Sequence, residues 1–338
     1  MMSDQQKSGS VNLGGIKRAA SGGLLKKNRT GIMVAGCPRS GSTILAKVLA
    51  LSPEVGYIEE PFNSQTGMIG TDDRFFPYID ETSSFYDAYR QILDDILDGR
   101  ANYKENQLQP ETNNPLRIVY RHIFTNRYQI RYKLDTYDPR VKRYVLKDPT
   151  ATLLTEYFME NPRLRVIYTL RHPCGVVASH QRLGWTGTPI HDFLSRPALF
   201  RLLSPDTQAV QGRTLSEVEG LAWYWRAVNE IVLRSAVAHP DMPIVSHESF
   251  SRDPISVVRR LFALHNIPFS AKVEQKLVQL TGADNPVDPT NNDIHVLKRN
   301  SRANIDRWQK LLSEQDQATI QEICEPVYQK IKLLPNYV

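Results

Sequence analysis

Cysteine is scarce in this chain: three in 338 residues, Cys37, Cys174 and Cys324, widely separated and with no C-x-x-C pair. An odd number at such spacing argues against a disulfide framework and against a thiolate zinc site, and it suits reduced thiols in a cytoplasmic protein. Long hydrophobic runs are missing as well. None approaches the ~20 residues a transmembrane helix needs, and the polar N-terminus lacks the apolar core of a signal peptide. Nor is there a large excess of one charge: Lys and Arg number 42 against 36 Asp and Glu, a net +6. So mild an excess fits anionic ligands or a partly basic surface. It falls short of a nucleic-acid-binding signature, which would need clustering along one face. What remains is an ordinary globular composition, 41% hydrophobic and 23% charged, in a chain long enough to bury a substantial core.

Residues 1–30 are rich in Ser, Gly and Lys without apolar periodicity, and they read as a disordered basic tail. Order is expected over residues 31–338. Four short apolar runs, "GIMVAG" (31–36), "RYVLK" (143–147), "RVIYTL" (165–170) and "PIVSHE" (243–248), are separated by helical patterns. That alternation predicts an α/β fold with a central parallel sheet, its strands buried on both faces and joined by crossover helices. Behind the first strand, Ile44, Leu45, Val48, Leu49 and Leu51 share one helical face. Residues 215–238 and 253–266 also read as helices, the latter opened by Asp253-Pro254, a cap followed by proline in the first turn. Two irregular stretches, 63–140 and 183–205, follow strand ends, where open parallel sheets bind ligands. The first contains one good helix, entered from Ser83 or Ser84 and closed by Gly99.

The loop after the first strand, "GCPRSGST" (36–43), has the glycine spacing of a Walker A loop and a final Thr43, but Ser42 stands where its lysine belongs. A strand, a glycine-bounded loop and a helix start gather backbone N–H groups around an anion, and Arg39 adds a fork of donors. Without that lysine, and without a clear strand aspartate for Mg²⁺, γ-phosphate chemistry is poorly supported. An atypical P-loop kinase and a catalytically silent nucleotide-binding module stay open at this point. A second motif, "RHPCGVVAS" (171–179), puts Arg171 at a strand end and Ser179 two turns into the next helix, a pair able to grip a second phosphate.

Together these segments resemble the sulfotransferases that use 3'-phosphoadenosine-5'-phosphosulfate (PAPS). "CPRSGST" resembles that family's loop for the 5'-phosphosulfate, and "RHPCGVVAS" its 3'-phosphate motif. The similarity continues through "IEEPF", "LKDPT", "SHESFSRDP" and "KRNSRANIDRW", from about Gly31 to Trp308. It is nearest the carbohydrate and tyrosylprotein branch, because the phenol and steroid branch usually carries lysine where this loop has Arg39. The resemblance implies a P-loop-containing three-layer α/β/α fold and in-line transfer of SO₃ to an acceptor hydroxyl, carbohydrate or glycoconjugate first. It also implies release of 3'-phosphoadenosine-5'-phosphate (PAP) and no need for metal. Cys37, Pro38, Arg39, Ser40, Gly41, Ser42, Thr43, Arg171 and Ser179 would hold the donor.

The acceptor needs a base. Glu60, directly before Pro61, matches the glutamate proposed for this branch, with Glu59 the spare and His172, His180 and His247 weaker alternatives. Lys147 of "KDP" would face the bridging oxygen between sulfate and phosphate, and Asp148 would cap or orient the segment after it. Arg299, then Arg302, would add a second 3'-phosphate contact. The acceptor would be read by the two irregular stretches, with Trp185 a contact. Trp223 and Trp225 read as core, and Glu248 as structural.

Overall fold

Successive residues of a strand point to opposite sides of its sheet, and in this protein both sides are apolar. The computed structural model describes residues 28–104, 127–185, 187, 189–287, 298 and 300–338. Its sheet has five strands, β1 (Thr30–Gly36), β2 (Val55–Glu59), β3 (Arg143–Lys147), β4 (Leu164–Leu170) and β5 (Ile244–Ser246), in the order β2-β3-β1-β4-β5. Every neighbouring pair is parallel. The longer described helices are α1 (Ser42–Leu49), α2 (Tyr86–Leu97), α3 (Arg127–Tyr137), α4 (Pro173–Arg182), α5 (Glu217–Ala238), α6 (Pro254–Leu264), α7 (Ala271–Thr281) and α8 (Glu314–Lys332).

Met33 and Ala35 of β1, with Tyr144 and Leu146 of β3 and Val166 and Tyr168 of β4, face one layer. Its helices bring Leu93, Tyr132, Val177, Trp225 and Ile320 against them. The alternate residues Ile32, Val34, Val145 and Ile167 face the other layer, where Leu45 and Val48 of α1 meet Val258 and Leu261 of α6 and Leu277 of α7. The fold is therefore the three-layer α/β/α expected, with both sheet faces covered as an all-parallel sheet requires.

Three details differ from the sequence reading. Helix α2 is not entered from Ser83 or Ser84: Phe85 is its N-cap, and no side chain caps it. The sheet has a strand not anticipated, β2, whose "VGYIE" is short and begins at a glycine-containing edge where pairing with β3 supplies the order. The folded chain also starts earlier than Gly31. Arg29 is buried, donates to the carbonyls of Thr136 and Val141, and lies 5.2 Å from the centre of the Tyr144 ring. Residues 1–27 of the expected tail lie outside the described residues.

The strand order decides where a ligand can sit. β1 lies between β3 and β4, so the segments leaving the C-terminal ends of these three strands converge on one edge of the sheet. They are the 36–43 loop, the "KDP" turn and the Arg171 turn.

Candidate active site

Gly36 ends β1 where no side chain fits: a Cβ there would lie 2.1 Å from Thr169 Oγ1 and 2.4 Å from Ser40 Oγ. Gly41, at φ 98°, is the N-cap of α1 in a left-handed conformation that favours glycine. It has no side chain to cap the helix, so the first amides of α1 keep their donors for a ligand. Between the glycines, Arg39 takes φ 74°. Its Nε donates to Ser179 Oγ at 3.1 Å, and its guanidinium stands 5.7 Å from the centre of the Trp185 ring.

The second motif reaches the same place. Arg171 donates from Nη1 to the Arg39 carbonyl at 3.1 Å. The Trp225 indole donates to the Arg171 carbonyl at 3.2 Å, and a Cβ on Gly175 would lie 2.9 Å from Arg171 Nε. Arg39, Arg171 and Ser179 thus form one connected group, although 132 residues separate the two arginines.

A carboxylate pair and a lysine stand beside the loop. Lys147 Nζ is 2.6 Å from both Glu59 Oε1 and Glu60 Oε1. Its side chain is 4% exposed, that of Glu59 8% and that of Glu60 26%, so only Glu60 presents itself to a ligand. Asn63 Nδ2 donates to Glu60 Oε2 at 2.8 Å, and the Tyr57 hydroxyl donates to Glu59 Oε2 at 2.5 Å. Burial by itself would lower Lys147, but the charges of Glu60 and Glu59 hold its ammonium above the ordinary lysine range. Burial would raise Glu59, yet Lys147 and the Tyr57 hydroxyl keep it below the usual carboxylate range. Asp148 is fully buried. It accepts from the Phe62 amide at 2.7 Å, the Thr150 amide at 3.0 Å, the Thr150 hydroxyl at 2.7 Å and the Ala151 amide at 3.2 Å. Burial and the neighbouring Glu60 charge lift it to about 7, against the pull of those donors.

The family model for sulfotransferases matches residues 31–271, well over half of the chain. The chain belongs to the sulfotransferase family. The kinase and silent-module readings give way to that of a sulfotransferase. Among solved structures, it is similar to the sulfotransferase domain of the curacin biosynthetic pathway, 16% identical over 87% of this chain and 97% of that one, TM-score 0.44. It is also similar to a mouse sulfotransferase complexed with PAP, 10% identical over 90% and 89%, TM-score 0.42. A third likeness is retinol dehydratase in complex with androsterone and PAP, 15% identical over 92% and 83%, TM-score 0.42. No curated protein matches the sequence.

In this sulfotransferase the three converging segments enclose a cavity of about 570 Å³. Pro38, Arg39, Gly41, Ser42, Thr43, Glu60, Lys147, Arg171 and Ser179 all line it. Cys37 and Ser40 do not. The Cys37 thiol is buried, which pushes it up to about 12. Ser40 Oγ bonds Thr169 Oγ1 at 2.7 Å, and its amide donates to the Cys37 carbonyl. These two side chains shape the loop from behind. Arg299 lies outside the described residues, and Arg302 is exposed and does not line the cavity. Arg307 and Trp308 of the same segment line it instead, with Trp308 stacked on His172 at 4.7 Å.

Sequence reasoning missed Arg182, Arg307 and Phe250 as lining residues. Only the arginine-rich "KRNSRANIDR" hinted at one of them. Of the three histidines weighed as bases, all among the described residues, His247 alone lines the cavity. His180 is buried and turned to the Val176 carbonyl. Glu248 accepts from the His172 amide and the Ser246 hydroxyl, the structural part expected of it. Asp148 ties the Glu60-Pro61-Phe62 turn to the end of β3, as a capping aspartate should.

Proposed function

We propose that this sulfotransferase moves the sulfuryl group of PAPS to a hydroxyl of a carbohydrate or glycoconjugate, with Glu60 as base. One observation carries the reading. An uncapped helix start, the connected Arg39–Arg171–Ser179 group and a lysine–carboxylate pair share one cavity, and PAPS carries a 5'-phosphosulfate and a 3'-phosphate joined by a nucleoside. The uncapped start of α1 suits the first anion, and Arg171 with Ser179 suits the second, with Arg39 bonded to Ser179 between them. A mouse sulfotransferase to which the chain is similar is complexed with PAP, the product such a donor leaves.

Within that reading Glu60 takes the proton of the acceptor hydroxyl as its oxygen bonds to sulfur. Lys147 meets the charge on the oxygen that leaves with the nucleotide. The wall beside Glu60 is made of Asn63, Gln65 and Thr66, amides and a hydroxyl suited to a polyol. Trp185, 44% exposed at the rim, offers an aromatic face for a sugar ring. Buried free thiols at all three cysteines fit a cytoplasmic enzyme.

Calorimetry should detect PAP binding in EDTA, and labelled PAPS should then be offered to glycans, glycolipids and peptides. Glu60→Gln should keep PAP affinity while turnover falls by about 10²–10⁴-fold. Surviving turnover would place the base elsewhere. Label transferred only to peptides would overturn the acceptor class.

A further inference from the structure

Two adjacent glutamates stand on one lysine, and a regular strand would not put them there. Side chains alternate along a strand, so Glu59 and Glu60 should face opposite sides. Glu59 is the last residue of β2 and pairs in register with Lys147 of β3, which puts these two side chains on the same face. Glu60 then breaks the alternation. It takes φ 40°, with its amide donating to the Lys147 carbonyl at 2.7 Å, and this turn swings its carboxylate back to the same ammonium. Few non-glycine residues occupy that region without a reason in the surrounding structure.

The two carboxylates differ in what else they can do. Glu59 is enclosed: Oε1 on Lys147, Oε2 on the Tyr57 hydroxyl, its backbone carbonyl on the Tyr103 hydroxyl. Glu60 opens to the cavity. If only Glu60 paired with Lys147, each turnover would neutralise that partner and leave a buried ammonium without counter-charge. Such an ion is disfavoured in a low-dielectric site and tends to lose its proton.

We propose that Glu59 is the permanent counter-ion of Lys147, and that the Glu60 contact opens when Glu60 accepts the acceptor's proton, turning the ammonium toward the leaving oxygen. Glu59 is thus a positioning residue acting through Lys147. No bond changes at Glu59; the proton moves from acceptor oxygen to Glu60, and the pair formerly shared by sulfur and the bridging oxygen departs with the nucleotide. This deepens the reading of Glu60 as base and Lys147 as leaving-group cation, and rests on it. The other charged or titratable groups around the pair are Lys47 on α1, Tyr57 on β2, Tyr103, and Asp148 after β3. Lys47 favours the charged form of Glu59, whereas the two tyrosines face it with protonated hydroxyls.

The test compares kcat and KM against pH for the full chain and for Glu59→Gln. In Glu59→Gln, kcat should fall at least about tenfold, KM for PAPS should stay near its original value, and a new alkaline limb should appear where Lys147 loses its proton. A profile that superimposes on that of the unaltered enzyme, or a loss confined to KM, would overturn the proposal. Should Glu59→Gln fail to fold, Glu59→Asp withdraws the carboxylate by one methylene while keeping its charge. A lower kcat with an alkaline limb absent from the unaltered enzyme supports the counter-ion, and an unchanged profile refutes it. Glu60→Gln separates the two readings. If that variant is inactive while Glu59→Gln behaves normally, the counter-ion role fails and the base stands. If Glu60→Gln turns over normally, the base reading itself has failed.

Discussion

Arg171 is both a tie within the loop and a wall of the cavity. It closes the loop by donating to the Arg39 carbonyl, and it lines the cavity. The absence of a side chain at Gly175 gives the guanidinium its place, since a Cβ there would press on Nε at 2.9 Å. A helix-interior glycine costs about 0.5–1 kcal/mol relative to alanine, so its presence here is explained by the arginine lying across it. If Arg171 grips a 3'-phosphate, Arg171→Ala should weaken PAP binding by about 10–100-fold, the worth of charge-assisted hydrogen bonds. It should weaken the 3'-hydroxyl counterpart far less. Calorimetry with both nucleotides decides the matter, and equal losses would mean that Arg171 acts only through the Arg39 carbonyl.

Helix α5 shows how an element remote in sequence supports the same site. Its start is fixed by a capping box: Ser216 Oγ accepts from the Glu219 amide at 3.2 Å, and the Glu219 carboxylate accepts from the Ser216 amide at 2.8 Å. Two turns on, Trp225 is buried and holds the Arg171 carbonyl. Ser216→Ala should cost about 1 kcal/mol of stability, read as a lower urea midpoint, with kcat unchanged because the cap lies outside the cavity. A fall in kcat as large as the stability loss would show that α5 transmits its looseness to Arg171. This helix was readable in the sequence because it is long, periodic and capped. Strand β2 was not, because five residues at a sheet edge carry little pattern and take their order from β3. The same contrast holds in the site. Glu60, Lys147, Arg39, Arg171 and Ser179 sit in contiguous motifs at strand ends and could be picked out one by one. Arg182, Phe250 and Arg307 line the cavity only because distant turns fold over it. The convergence on Lys147 depends on one backbone angle at Glu60 that no spacing rule records.

At the scale of the whole molecule, the two apolar layers each enclose a histidine, and this sets how the fold answers acid. His180 lies in α4, held down to about 4 by burial and by the charges of Arg39 and Arg171, against a hydrogen bond to the Val176 carbonyl. His265 follows α6, also held to about 4 by burial and then by Arg143 and Arg165; its Nε2 has no hydrogen-bond partner among the described residues. Both groups bind protons more readily when the chain unfolds, at the ordinary value of 6.5. Stability should therefore be full above that value and fall as pH drops from 6.5 toward about 4. Asp148 works in the opposite sense, since a carboxyl raised to about 7 favours the folded state as it is protonated. The net slope mixes these terms, so the informative measurement is a difference. His265 lies away from the cavity, and His265→Gln should remove one proton from the slope while leaving Asp148 and His180 untouched. Urea midpoints taken from pH 7 to pH 4.5 should then separate steadily. The variant should gain on the unaltered enzyme toward acid, up to roughly 3 kcal/mol if the full interval were spanned. Parallel curves would mean that His265 is as easily protonated in the folded chain as in the unfolded one.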